Sequence, residues 1–147
     1  MTGQYILSII IAAVLGGAIG FEREYRSKEA GFRTHFLVGL GSALFMLLSL
    51  YGFDDFIGIP GKQHDPSRIA AQVVSGMGFI GAGTIIFQKN VVKGLTTAAG
   101  LWVTSAIGMA AGAGMYALAS VATLLVLLCL EGSDFIHHRI FHEKIEE

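Results

Sequence analysis

The side chains able to do chemistry in this 147-residue sequence fall into two short groups. In the first, Glu22, Glu24, Arg26 and Lys28 are followed by Arg33 and His35. Glu22 with Arg26, and Glu24 with Lys28, stand four apart and so share a helix face, which makes a self-paired, solvated helix end one reading. The other is a polar gate in which Glu22 or Glu24 works with Arg33 and His35. Mg²⁺ takes oxygen ligands and keeps several of its waters, so one or two carboxylates could hold it, although this spacing does not demand a metal. In the second group, Asp65-Pro66-Ser67-Arg68 opens an apolar segment, with Asp65 placed to cap a helix that begins at Pro66. Arg68, Gln72 and Ser75 follow at i, i+4 and i+7 and form one polar stripe, which Thr84 could extend. A stripe of this kind avoids lipid and serves either as glue between helices or as the lining of a polar path.

Other patterns carry less. Gly76-Met77-Gly78-Phe79-Ile80-Gly81 spells G-x-G-x-x-G, but the dinucleotide fingerprint needs a preceding strand and an acid about 20 residues on. The next acid here is Glu131. His138 and His142 have a zinc-binding spacing with no third ligand of known position, so a solvated face is expected. No serine–lysine, paired-aspartate or histidine–glutamate motif lies inside an apolar segment, so no enzyme is expected. Cys129 sits alone in an apolar run and reads as a small core or lipid-facing residue.

The elements that position these residues follow from composition. Hydrophobic residues make up 53% of the chain and charged residues only 14%, with a mean hydropathy of +0.63. A soluble domain carries about 25% charged residues, so this chain could not cover a water-facing surface. Twenty glycines without a Gly-X-Y period, among Leu, Ile and Val, exclude collagen and disorder. A small, all-α, polytopic membrane protein remains. A span needs about 20 apolar residues, and 5–21, 34–53 and 69–87 are candidates. The uncharged run from Leu95 to Leu130 would be about 54 Å long as one helix at 1.5 Å per residue. That is too long for a core of about 30 Å, so it is expected to break at Gly112-Ala113-Gly114 into spans 95–112 and 115–130. Five spans result, in a membrane domain over residues 1–130, and 131–147 form a short tail with an apolar face at Ile136, Ile140 and Phe141.

Basic residues orient the spans. Arg23, Arg26, Lys28, Arg33, Lys89, Lys93, Arg139 and Lys144 fall on one side, and only Lys62 and Arg68 on the other. Eight against two predicts the N-terminus outside and the C-terminus in the cytoplasm. No Lys or Arg precedes the first span, so it reads as a retained span rather than a cleaved signal. A net charge of −1 offers nothing to nucleic acid.

Small residues are spaced for close helix contact at Gly16-x-x-x-Gly20 and Gly108-x-x-x-Gly112. Gly76, Gly78, Gly81 and Gly83 in the third span suit either packing or a helix that opens its backbone at the midplane. Thr96, Thr97, Thr104 and Ser105 thread the fourth span, with Thr96 a candidate cap. Trp102, two turns into that span, is expected to find a partner for its N–H among the third-span hydroxyls or Gln72.

The blocks Gly20–Glu24 (GFERE), Ala30–His35 (AGFRTH), Asp65–Gly83 (DPSRIAAQVVSGMGFIGAG) and Gly94–Gly114 (GLTTAAGLWVTSAIGMAAGAG) closely resemble the MgtC/SapB family of bacterial membrane proteins. They occur in the family's order and cover most of the chain. The resemblance implies an inner-membrane protein of about five spans linked to magnesium homeostasis and, in some members, to survival in host cells. It carries over Glu22, Glu24, Arg33, His35, Asp65, Arg68, Gln72, Ser75 and Trp102 as functional positions; Asp54 and Asp55 lie outside the blocks. Some members are labelled magnesium transporters or transport-ATPase components, whereas others are thought to act on a partner, notably the membrane ATP synthase. The chain has no P-loop, so it is not an ATPase by itself. Several relatives carry a soluble domain after the last span, and none is expected within these 147 residues.

Two functions stay open. One is a transporter or channel for Mg²⁺ or another small ion, with Asp65 and Arg68 at the outer mouth and Glu22 and Glu24 at the inner. The other is a non-transporting regulator that docks on another membrane complex. No cofactor is expected, Mg²⁺ entering only as ligand or substrate. Five short spans bury little in one protomer, so a homo-oligomer, a dimer first of all, is expected.

Overall fold

The computed structural model describes residues 2–53, 65–88 and 90–141, with residues 133–141 as backbone. Asp54, Asp55, Lys62, Lys89, His142 and Lys144, and the side chains of Ile136, His137, His138, Arg139, Ile140 and Phe141, therefore lie outside the description.

The described residues form five helices: α1 (Thr2–Tyr25), α2 (Phe32–Tyr51), α3 (Ser67–Thr84), α4 (Leu95–Gly112) and α5 (Tyr116–Phe141). α1, α2 and α4 are each long and apolar enough to cross a membrane, and the apolar part of α5, Tyr116–Gly132, is slightly shorter. The 20 residues of α2 would span about 30 Å, the thickness of a hydrocarbon core. The chain is a helical membrane protein.

The helix ends are built from local chemistry. α1 closes when Lys28 N–H bonds the carbonyl of Arg23 (3.0 Å) and Ser27 N–H that of Glu24 (2.9 Å), with Ser27 left-handed at φ 54°. α4 closes in the same way: Met115 N–H reaches Ala110 O and Gly114 N–H reaches Ala111 O, with Gly114 at φ 80°. The long apolar run thus turns at residues 113–115, where glycine takes the left-handed conformation at little cost.

α2 lies at the centre because glycines on both sides let it approach. A Cβ on Gly16 of α1 would stand 2.5 Å from the carbonyl oxygen of His35, and one on Gly39 of α2 would stand 2.6 Å from that of Ala12. On the α4 side, a Cβ on Gly108 would run into the carbonyl oxygen of Gly39, and one on Gly112 would meet that of Ala43 at 2.7 Å. Backbones this close gain dense van der Waals contact, the main attraction available between helices in lipid. Ala12, Ile19, Ala43, Ile107 and Ala111 fill the seam, and Ser42 and Ser105 hydrogen-bond across it at 2.8 Å.

α3 is peripheral. It is attached through Met77 and Gly81, its two buried residues, and through a hydrogen bond from the Ser49 hydroxyl of α2 to the carbonyl of Pro66. The apolar run continues to Phe87, but the helix stops at Thr84, whose hydroxyl bonds back to Gly81 O (2.8 Å). Ile85 is extended, and Ile86–Gln88 (β1) pairs antiparallel with Val91–Lys93 (β2) in a short hairpin with Asn90 at φ 65°. β-branched and aromatic residues at 86, 87, 91 and 92 favour strand over a further helical turn. The expected span of 69–87 is therefore shortened at its end.

Candidate functional site

The two polar groups occupy opposite ends of the bundle. Glu22 at the end of α1, His35 at the start of α2 and Thr97 at the start of α4 gather at one end; Asp65 and Arg68 stand at the other, beside Ser49 near the end of α2.

At the first end the carboxylate of Glu22 is fully engaged. Its Oε2 accepts Arg23 Nε at 2.5 Å and its Oε1 accepts Arg23 Nη2 at 2.7 Å, while Arg26 Nε forms an ion pair with Oε1 at 2.7 Å. The Glu22–Arg26 pair is the i, i+4 contact the spacing predicts. The dominant partner, Arg23, is missed by spacing because adjacent residues diverge on a helix. Here the guanidinium folds back as a bidentate fork, which a side chain only 4% exposed requires. Arg33, expected to join a gate with His35, is exposed on the outer side of α2. Glu24 turns away from Lys28 and accepts the backbone N–H of Phe32 at 2.8 Å. It caps α2 from eight residues upstream, because Gly31 at the helix start has no side chain to do so and leaves room for the carboxylate.

His35 is wholly buried. Its Nδ1 lies 3.1 Å from the carbonyl of Gly31, which only accepts, so Nδ1 carries the proton. Nε2 is left as a buried acceptor facing α4 at Gly100, without a hydrogen-bond partner among the described residues.

Sequence reasoning overlooked Glu29. The buried Thr97 hydroxyl of α4 donates to its Oε2 at 2.9 Å across 68 positions, so nothing local signals the contact. Glu29's own backbone N–H holds its carboxyl below the ordinary value of 4.5, with help from Thr97 and then from the charges of Lys28 and Lys93. A depressed folded-state pKa means that the tether stabilises above pH 4.5 and is lost as pH falls through the folded value. Amide exchange in the 26–31 segment, corrected for its intrinsic pH dependence, should therefore rise below that point, and Thr97→Val should reduce the effect.

At the second end Asp65 Oδ1 accepts the N–H (2.9 Å) and hydroxyl (2.6 Å) of Ser67, and its Oδ2 lies 3.9 Å from Arg68 Nε. Asp65 caps the first turn of α3 as expected, with the helix boundary one residue later. Arg68, Gln72 and Ser75 are all exposed, so the stripe does not lead into the bundle of its own protomer. Gln72 instead borders an apolar groove of about 810 Å³ between α2 and α3, lined also by Val38, Phe45 and Ile80. α3 runs unbroken through Gly76, Gly78, Gly81 and Gly83. A Cβ at Gly81 would touch Ala98, whereas at Gly76, Gly78 or Gly83 it would meet nothing within 4 Å. Trp102 is 53% exposed beside Met77 and Ser105, and its N–H has no hydrogen-bond partner among the described residues, contrary to expectation. Thr96 does not cap α4, which starts from Gly94 at φ 86°.

The described residues contain no group of three or more His, Cys, Asp or Glu placed to hold a metal ion. What they present is a close-packed three-helix core and a fourth helix whose Gly76, Gly78 and Gly83 are uncovered. The family model described as the MgtC family matches residues 9–139. The chain belongs to the MgtC family. YhiD of Escherichia coli K12, provisionally named as a magnesium transporter, is 55% identical over 144 residues, 98% of this chain and 67% of its own. MgtC of Salmonella typhimurium LT2 is 44% identical over 123 residues, which cover 84% of this chain and 49% of MgtC. An uncharacterised Synechocystis protein is 38% identical over 143 residues, 58% of its length. The chain thus spans between about half and two thirds of these relatives. No solved structure matches it significantly.

Proposed function

We propose that this MgtC-family chain is a multi-pass protein of a bacterial inner membrane that serves magnesium homeostasis. In this reading it acts by laying the exposed surface of α3 against another membrane-embedded helix, that of a second copy first of all. Its N-terminus lies outside and its C-terminus in the cytoplasm, an orientation supported by the eight-to-two division of basic residues. The magnesium link is supported by family membership and by the name that YhiD carries. The observation that carries the mode of action is that Gly76, Gly78 and Gly83 have open space where a side chain would stand, although glycine in a helix costs about 1 kcal/mol relative to alanine. Gln72 and Ser75 on the same exposed helix would be costly against lipid and gain partners in such a contact.

A second reading is a path for Mg²⁺ or another small ion, favoured by the Arg68, Gln72, Ser75 stripe. Such a path would use Gln72 at the groove between α2 and α3 and the exposed Arg68 and Ser75 beside it.

Proteoliposomes with an internal Mg²⁺ indicator, combined with magnesium-limited growth of a deletion strain, separate the two readings. The docking reading expects no flux under a gradient, and growth restored by the wild type but not by Gly76→Leu with Gly78→Leu. Mg²⁺ flux abolished by Gln72→Ala would decide for the path.

A further inference from the structure

Beside the Glu22 cluster lies a second polar feature that neither reading uses. A pocket of about 410 Å³ opens where the end of α1, the following segment, the hairpin and the start of α4 meet. Arg23, Lys28 and Lys93 line it together with Thr96 and Thr97, against one acid, Glu29. α4 adds to the positive field. Its first residue after Gly94 is Leu95, no side chain caps it, and its first turn is closed by the Ala98 N–H on Gly94 O. The amides of Leu95, Thr96 and Thr97 have no acceptor among the described residues, and they sit at the positive end of the helix dipole. The surroundings are apolar. Val92, Leu95 and Leu130 share the pocket wall, and the adjoining hairpin exposes Ile86, Phe87 (80%) and Val91. Cations grouped beside exposed hydrocarbon at the end of a membrane bundle form the combination that holds an anionic lipid headgroup, whereas a site for a soluble anion gains nothing from an apolar rim.

The geometry points to this pocket as a binding site for the phosphate of an anionic phospholipid, with the hairpin's apolar side chains against the top of the acyl region. Lys28 and Lys93 contact the phosphate; Arg23, already held by Glu22, contributes field. Glu29 opposes the anion and limits its affinity. Such a site would serve a transporter and a regulator alike.

The full chain in mild detergent, given equal phosphatidylglycerol and phosphatidylcholine, tests this by native mass spectrometry. Wild type should retain phosphatidylglycerol preferentially. Lys28→Gln and Lys93→Gln, both at exposed positions, should each reduce that preference about fivefold, and Glu29→Gln should increase it. Unchanged circular dichroism melting would show the variants folded. A preference absent in wild type, or kept by the double lysine variant, overturns the proposal. Displacement of the lipid by millimolar inorganic phosphate overturns the lipid assignment in favour of a free anion.

Discussion

Gly108→Ala should destabilise the bundle by about 1–3 kcal/mol, whereas Gly76→Ala should leave the protomer as stable as wild type or up to about 1 kcal/mol more stable. Both exchanges put the same methyl group on a glycine inside a helix. At Gly108 the new Cβ is driven into the carbonyl oxygen of Gly39, with Ser42 Cβ 3.0 Å away. Neither neighbour is a flexible side chain, so α2 and α4 must move apart. That movement loosens the Ser42–Ser105 hydrogen bond and the contacts of Ile107 and Ala111 at the same seam. At Gly76 nothing lies within 4 Å, and alanine adds helix propensity. Thermal unfolding in mild detergent measures both, and a Gly108→Ala variant as stable as wild type would sink the close-approach account. The contrast also bears on function. A methyl group that leaves the isolated protomer intact but weakens self-association, or complementation under magnesium limitation, would show that the α3 glycines are kept for a contact outside the protomer.

The residues most legible in the sequence are those whose roles are local. The apolar run from Leu95 had to break, and Gly114 offered the left-handed residue that a helix end uses, so both helices and the turn could be read. Asp65 as a cap and Glu22–Arg26 as an i, i+4 pair are likewise short-range. What could not be read is how helices far apart in the chain meet. Gly16 and Gly108 belong to small-residue motifs that packing uses, while Gly76, Gly78 and Gly83 look the same in sequence and are uncovered. Spacing shows that a face is small; it does not show whether another helix of the same chain covers it. For the same reason periodicity places Arg68, Gln72 and Ser75 together without saying which way α3 turns them, and all three are exposed. Glu29 and Thr97 meet across 68 positions. The hairpin was hidden because Ile85-Ile86-Phe87 continues an apolar run, and a short run of that kind suits a strand as well as a helix.

Glu22→Gln should cost about 3–5 kcal/mol, and more than Arg23→Met, although the two side chains form one ion pair. The asymmetry comes from the third member. Removing Arg23 leaves the Glu22 carboxylate in its ion pair with Arg26 at 2.7 Å, so no charge is stranded. Removing the charge of Glu22 leaves the guanidinium of Arg23 in a site where its side chain is only 4% exposed. A buried charge without its counterion is the costly case, while replacing both partners with apolar residues of similar size is often close to neutral. The double variant Glu22→Leu with Arg23→Met should therefore recover much of the loss, and equal costs for the two single variants would defeat this account. The same geometry limits what the cluster can bind. Both oxygens of Glu22 already accept from guanidinium groups, and the carboxylate of Glu24 accepts the Phe32 N–H at the start of α2. A divalent cation entering here would have to displace two arginines from one carboxylate. Millimolar Mg²⁺ is accordingly expected to leave the unfolding temperature of the purified protein unchanged, in wild type and in Glu24→Gln alike. A Mg²⁺-dependent rise that disappears with either glutamate would return both to the role of cation ligands and reopen the inner mouth of an ion path.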